Sequence, residues 1–385
     1  MKPLDPKLRE FCTVRQLEIF EALEKHASER KAAAALGVGR GTLRTAMVAL
    51  QKKAALRGYS PTHDLHHPVA PGQSLRGAST LYKDGKAVMQ WVKSTADADK
   101  QREIIQAAAA AMAEELPRSA PVAAPAHTRD ELATVYTLTD SHVGAMAWRE
   151  EGGADWDLKI AEATLVGCFG GMIAAAPPAR LGVVAQLGDF LHADGIMPVT
   201  PTSGHILDAD GRFTKVVQVA VRVLRQVVGM ALQKHERVVV LMAEGNHDIS
   251  SSIWLRTMFA ALYEHEPRVE VIDSPLPYYA VQHGKTMLCW HHGHLKKNDQ
   301  LPLLFASQFP AMWGLTTKRY AHCGHRHHAE EKEHSGLTVI QHPTLAARDA
   351  YAARGGWHAE RQATAITYHA EFGQVARNTV TPEMV

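Results

Sequence analysis

Cysteine is scarce in this chain of 385 residues: Cys12, Cys168, Cys289 and Cys323 stand far apart, and none forms a CxxC pair. That excludes a disulfide framework and a zinc ribbon and suits a reducing compartment. No apolar run reaches the ~18 residues that a membrane span needs. The N-terminus, MKPLDPKLRE, lacks the apolar core of a signal peptide, so a soluble, cytoplasmic protein without a membrane partner is expected. Net charge is also small, +2, and by itself says nothing about a polyanionic partner. With 46% hydrophobic and 21% charged residues, wholesale disorder and fibrous repeats are excluded. What the chain has in excess is histidine, 23 in all, bunched between His283 and His342 and again from His63 to His67. Imidazole is the commonest metal ligand.

The length suits two domains, and charge separates them. Residues 1–60 hold 12 Lys and Arg against 6 Asp and Glu, a local +6, so the remainder must carry −4 to reach the total of +2. Thr13 with Gln16 three residues on makes a capping box for an amphipathic helix with apolar Val14, Leu17, Phe20 and Leu23. An alanine-rich helix then stops at Leu36 and Gly37, and another begins between Arg40 and Thr42, carrying Leu43, Met47 and Leu50. Helix, glycine turn, helix is the helix-turn-helix pattern, assigned to residues 1–60. Its second helix would present Arg40, Thr42, Arg44 and Thr45 to base edges, with Lys52, Lys53 and Arg57 free for phosphates. The plainer alternative is a helical hairpin with a solvated basic face.

Residues 61–117 read as a small hairpin-plus-helix module, turning at Asp84 and Gly85 and ending in a helix over 96–117. His63, His66 and His67 have no acidic or Cys partners at ligand spacing and are taken as surface histidines. The Ala- and Pro-rich stretch 118–130 is a linker, and 131–385 alternates strand and helix, which argues for a layered α/β domain.

In that domain each expected strand ends on metal-binding residue types. The first delivers Asp140 and His142, the second Gly188 and Asp189, the third Gly245, Asn246, His247 and Asp248. Then come HHGH at 291–294 and Gly324, His325 and His327. A carboxylate such as Asp189 can bridge two divalent cations, a pair that clamps the oxygens of an in-line displacement. Mixed oxygen and imidazole donors suit Mn, Fe or Zn rather than Ca.

In this order the motifs resemble the calcineurin-like metallophosphoesterase superfamily, over residues 131 to about 345. The resemblance implies an αββα sandwich and two divalent cations, Mn²⁺ in the first place with Fe or Zn as alternatives. Asp140, His142 and His327 would hold one, Asn246, His292 and His325 the other, with Asp189 bridging. His292 is preferred to His291 because the family's histidine directly precedes the glycine. It further implies that His247 is no ligand but the group that stabilises the transition state or protonates the leaving oxygen, that Asp248 orients it, and that a metal-bound hydroxide attacks. The GNHD ending and the GHxH motif lean toward the phosphodiesterase and DNA-repair nuclease branch. A helix-turn-helix joined to such a domain also resembles proteins of tailed bacteriophages, which would place it in a bacterial host's cytoplasm.

A phosphodiesterase or nuclease acting on nucleic acid is therefore expected. The alternatives are a small-molecule or cyclic-nucleotide phosphoesterase whose head only makes a homodimer, and a DNA-binding regulator or phage structural component with an idle site. Two readings stay open for the polar loop 192–213: His192, His205, Asp208 and Asp210 touch substrate or support the ligands, or Asp208 and Asp210 merely cap the next helix. Arg348, Arg354 and Arg361 either grip phosphate or line a solvated helix.

Overall fold

The structure, a computed structural model, describes residues 4–26, 28–66, 68–69, 73–84, 86–96, 105, 118–201 and 203–385. Two compact units divide the chain, Met1–Ile104 and Ile105–Val385.

The N-terminal unit opens with three helices, α1 (Val14–Lys25), α2 (Glu29–Ala35) and α3 (Arg40–Leu56). The capping box forms as read: Gln16 N–H donates to Thr13 Oγ1 and Thr13 N–H to Gln16 Oε1. The buried face of α1 is Ile19, Phe20, Ala22 and Leu23, whereas Val14 is 82% exposed. The stripe is thus rotated from the expected one, because the first turn overhangs the core. Leu43 and Leu50 anchor α3, and Gly37 closes the turn before it with φ +64°, a conformation that favours glycine. Next comes an antiparallel hairpin of β1 (Gln73–Lys83) and β2 (Lys86–Ala96). His67, Gly85 and the expected helix over 96–117 lie outside the described residues, save Ala96, which ends β2, and Ile105.

The second unit is a four-layer sandwich. One sheet contains β3 (Arg129–Leu138), β4 (Ala179–Gln186), β5 (Arg237–Met242), β6 (Val269–Val271), β12 (Ala363–His369) and β13 (Gly373–Val380), in the order β13-β12-β3-β4-β5-β6. The other contains β7 (Tyr279–His283), β8 (Thr286–Trp290), β9 (Lys318–Cys323), β10 (Glu330–His334) and β11 (Leu337–Gln341), in the order β10-β11-β9-β8-β7. Strands β3 to β6 are mutually parallel, as are β8, β9 and β11.

Because β3, β4 and β5 are buried on both faces, they read as near-continuous apolar runs rather than alternating ones. Val183, Val239 and Leu241 face Leu288, Trp290 and Ile340 between the sheets. On the opposite face Tyr136, Val184 and Val240 meet α4 (Leu158–Ala175), α5 (Phe213–Lys234) and α6 (Ile249–Leu262) through Phe169, Leu224 and Phe259. Helices α7 (Leu301–Gln308) and α8 (Pro310–Leu315) cover the outer face of the second sheet through Leu301, Phe305 and Trp313. By length and composition alone α4 and α5 would pass as membrane spans, but their apolar faces are packed on the first sheet. The stretch 118–130 is pinned to this unit: Ser119 N–H donates to the Leu262 carbonyl, Val122 N–H to Glu266 Oε2, and Arg268 to the Val122 and Ala123 carbonyls.

Phe169 is fully buried and stacks obliquely on Tyr136 at 5.3 Å. Phe169→Ala is therefore expected to cost about 3 to 5 kcal/mol, read as a lowered urea midpoint with an unchanged slope.

Candidate metal centre

Parallel strands bring their carboxyl ends to one edge of each sheet, and in open α/β sheets that edge holds the ligand site. Here two sheets contribute at once. From β3 come Asp140 and His142, from β4 Asp189, from β5 Asn246 and His247, from β8 His292, and from β9 His325 and His327. The donor atoms of Asp140, His142 and His327 lie within 4.8 Å of one another, and so do those of Asp189, His292 and His325. His292 Nε2 is 3.2 Å from Asp189 Oδ2, 4.0 Å from Asp140 Oδ1 and 3.3 Å from Asn246 Oδ1, which joins the two groups.

Backbone strain accompanies this convergence. Asp140, His142, Asp189, His325 and His327 all have positive φ, between 42° and 71°, and among the described residues only Asp64 and Asp84 are other non-glycine cases. Such conformations cost of order 1 to 3 kcal/mol each and persist where the surroundings over-determine them. Gly188 shows how tight the packing is: at φ +92°, a Cβ there would sit 2.6 Å from His292 Nδ1.

The protein's own hydrogen bonds aim the donors. His292 Nδ1 is held by the Leu187 carbonyl at 2.8 Å, which leaves Nε2 for the site. Asp140 Oδ2 accepts from Thr139 Oγ1 at 2.6 Å and from the His325 amide at 2.8 Å, while Oδ1 faces His327 Nε2 at 3.1 Å. Thr344 Oγ1 fixes the same loop by donating to the Asp140 carbonyl. Asp189 Oδ1 accepts from the His247 amide.

Asp140 and Asp189 are buried, 0% and 1% exposed. Burial alone would raise them, but His327 and His292 beside Asp140, and His292 beside Asp189, hold both below the carboxylate range. Burial opposes a charge on His292 too, yet Asp189 and Asp140 push it up to about 10. Burial, then His247 and His192, drive His142 far down, and burial with His247 drives His192 down to about 4. The pocket thus sets two buried carboxylates among imidazoles. Divalent cations would satisfy the same carboxylates and use neutral rings as ligands, so the donor set fits metal ions.

His291 does not join this set. It is buried and stacked on Tyr278 at 5.4 Å, and among the described residues its ring nitrogens have no hydrogen-bond partner, whereas His292 lies beside Asp189. His247 Nδ1 meets the His192 carbonyl at 2.8 Å, and its ring packs against His142 and His192.

Asp248 differs from expectation. Its carboxylate does not reach His247 but accepts from the amides of Asp189, Phe190, Leu191 and Gly245, at 2.7 to 3.2 Å. Burial, with Asp189 and Asp194 nearby, pushes it up to about 8. Asp248 therefore ties the second motif to the third, and the His192 carbonyl is what orients His247. No side-chain pattern could have signalled a backbone oxygen.

The open loop residues also resolve. His192 is buried with Nδ1 3.3 Å from His142 Nδ1. Asp210 accepts from the Leu158 amide, capping the preceding helix α4 rather than the next one. Asp208 contributes a carbonyl to Met146, and His205 is exposed with its backbone tied to Thr200. Arg348 and Arg361 donate to main-chain carbonyls of Gly152, Trp357 and Leu345, and Arg354 is exposed. In the N-terminal unit Arg40, Thr42, Arg44, Thr45, Lys52 and Lys53 are all exposed on α3, Arg44 in an ion pair with Glu29.

No family model matches the chain, and no curated protein matches it either. Solved structures are similar to it at low identity. A conserved protein of Streptococcus pneumoniae described as a predicted phosphoesterase is 10% identical, over 66% of this chain and 91% of its own, with a TM-score of 0.30. YfcE, a phosphoesterase from E. coli, is 14% identical over 64% and 98%, with a TM-score of 0.31. The phosphopantetheinyl hydrolase PptH of Mycobacterium tuberculosis is 8% identical over 59% and 93%, with a TM-score of 0.27.

Removing the Asp248 carboxylate strands four buried amides. Asp248→Ala should lower stability by at least about 2 kcal/mol and weaken Mn²⁺ uptake, measured by thermal melting and metal titration. A residue that only oriented His247 would leave both unchanged.

Proposed function

We propose that this protein is a dinuclear-metal phosphoesterase, and more narrowly a phosphodiesterase or nuclease acting on nucleic acid. The observation that carries the reading is the meeting of two buried carboxylates with five imidazoles and one amide, each delivered by the carboxyl end of a parallel strand. Asp140, His142 and His327 would hold one cation and Asn246, His292 and His325 the other, with Asp189 shared. When bound, such a pair supplies Lewis acidity toward a phosphoryl group and an activated water. Mn²⁺ fits this mixed donor set, with Fe and Zn as the alternatives.

The rest is the work of the chain. Asn246 contributes a neutral oxygen where a third carboxylate would repel an anionic phosphodiester. The His192 carbonyl fixes one nitrogen of His247, leaving the other to bind the phosphoryl oxygens or protonate the departing one, a role that needs no metal contact. Asp248 keeps the loops bearing Asp189 and His247 in register. The nucleic-acid substrate is supported by the basic N-terminal unit, whose α3 exposes Arg40, Lys52 and Lys53 as a helix-turn-helix would.

Purified protein with Mn²⁺ should hydrolyse bis-p-nitrophenyl phosphate and cleave DNA or RNA, and a chelator should stop both. Asp189→Ala should cut kcat/KM on the order of 10³-fold or more, which asks about 4 kcal/mol of the shared ligand. Turnover of the small diester with every nucleic acid left intact would refute the narrower reading. Wild-type activity in the Asp189→Ala protein would refute the metal site.

A further inference from the structure

The N-terminal unit carries a surface that neither the metal centre nor α3 uses. Along the hairpin Gly77 pairs with Lys93, Ser79 with Trp91, Leu81 with Met89 and Lys83 with Lys86. Directly opposed residues share a face, as do alternate residues along a strand. One face therefore bears Lys83 and Lys86 at the tip, then Leu81, Met89 and Trp91, then Lys93. The other face is held by polar contacts, though Tyr82 and Val92 on it are still 53% and 42% exposed: the Tyr82 hydroxyl donates to the Asp64 carboxylate, and Gln90 Nε2 donates to the Asp64 carbonyl at 3.1 Å and to Thr80 Oγ1 at 2.8 Å. The Trp91 face looks out, with Leu81 52%, Met89 51% and Trp91 55% exposed. Contiguous exposed apolar side chains rimmed by polar residues are where proteins take partners.

Charge decides what would cover it. Between residues 73 and 96 stand Arg76, Lys83, Lys86 and Lys93 against one acid, Asp84. A second copy of this face would oppose lysine to lysine, and an apolar protein groove would leave the ammonium groups unpaired. A polymer that offers regular negative charge together with flat apolar surfaces is a nucleic acid whose bases are unpaired, since a duplex keeps those surfaces stacked inside. Exposed aromatic rings between cations are how proteins hold single strands without reading sequence.

We propose that this face binds single-stranded nucleic acid, with Trp91 stacked on an unpaired base between Leu81 and Met89, and Lys83, Lys86 and Lys93 on the phosphates to either side. The proposal rests on the nucleic-acid reading of the function and narrows it to an unpaired strand.

The test is fluorescence anisotropy of the full chain with a labelled oligothymidine and with a duplex of equal length. Trp91→Ala should weaken single-strand binding about tenfold and leave duplex binding unchanged, and Trp91→Phe should keep most of the affinity. Replacing Lys83, Lys86 and Lys93 together by Gln should flatten the log–log salt dependence by about 2, at ~0.7 per phosphate. Unaltered single-strand affinity in Trp91→Ala protein with a wild-type circular dichroism spectrum would overturn the proposal. So would an equal loss on duplex, or a concentration-dependent dimer that Trp91→Ala dissolves. Hydrolysis of bis-p-nitrophenyl phosphate by the Trp91→Ala protein should match wild type. If the wild-type protein itself lacks that activity, the metal-centre reading fails while the strand-binding result stands on its own.

Discussion

Two carboxylates with no access to water, Asp140 and Asp189, impose the constraint on which the site depends. A buried anion is tolerated only when paired and hydrogen-bonded. Each therefore has one oxygen occupied by the protein, Oδ2 of Asp140 by Thr139 and the His325 amide, and Oδ1 of Asp189 by the His247 amide. The other oxygen of each points at an imidazole. Those two oxygens face the cluster of histidines, where bound divalent cations would take the place of the imidazole protons as their partners.

Holding it open takes strain and glycine. Five candidate ligand residues sit at positive φ, and motif glycines stand where a Cβ would press on a neighbouring candidate ligand. The four-layer core is the reservoir that tolerates this, because β3, β4, β5, β8 and β9 are locked on both faces before their chains turn into the loops. Asp248 adds a clamp between two of those loops. It is a polar group in the site's own motif whose contribution is to backbone geometry.

Much of this was legible in the sequence because the motifs sit where apolar runs stop: a doubly buried parallel strand announces itself as a run, and its end marks the loop. Other features were hidden for physical reasons. β10 is Glu-Glu-Lys-Glu-His at residues 330–334, an edge strand whose existence depends on pairing with β11 and not on its own composition. β13, Gly-Gln-Val-Ala-Arg-Asn-Thr-Val, is likewise an edge strand of its own sheet, and its Arg377 pairs with Glu331 of β10. The partners of Asp248 and His247 are main-chain groups brought close only by tertiary packing, and Asp210 caps a helix that precedes it in the chain by about fifty residues. Val14 fits the helical stripe in sequence but projects past the end of the small core that α1 covers.

The proposed function divides adjacent residues of one loop between metal binding and catalysis, so metal content set beside turnover tests it most directly. After equilibrium dialysis against Mn²⁺, elemental analysis should find about two ions per chain in the wild-type protein. His247→Ala should hold the same number while turnover is lost, and Asn246→Ala should hold fewer. A wild-type chain that retains no Mn²⁺, or a His247→Ala protein that loses metal as fully as Asn246→Ala, would contradict that division.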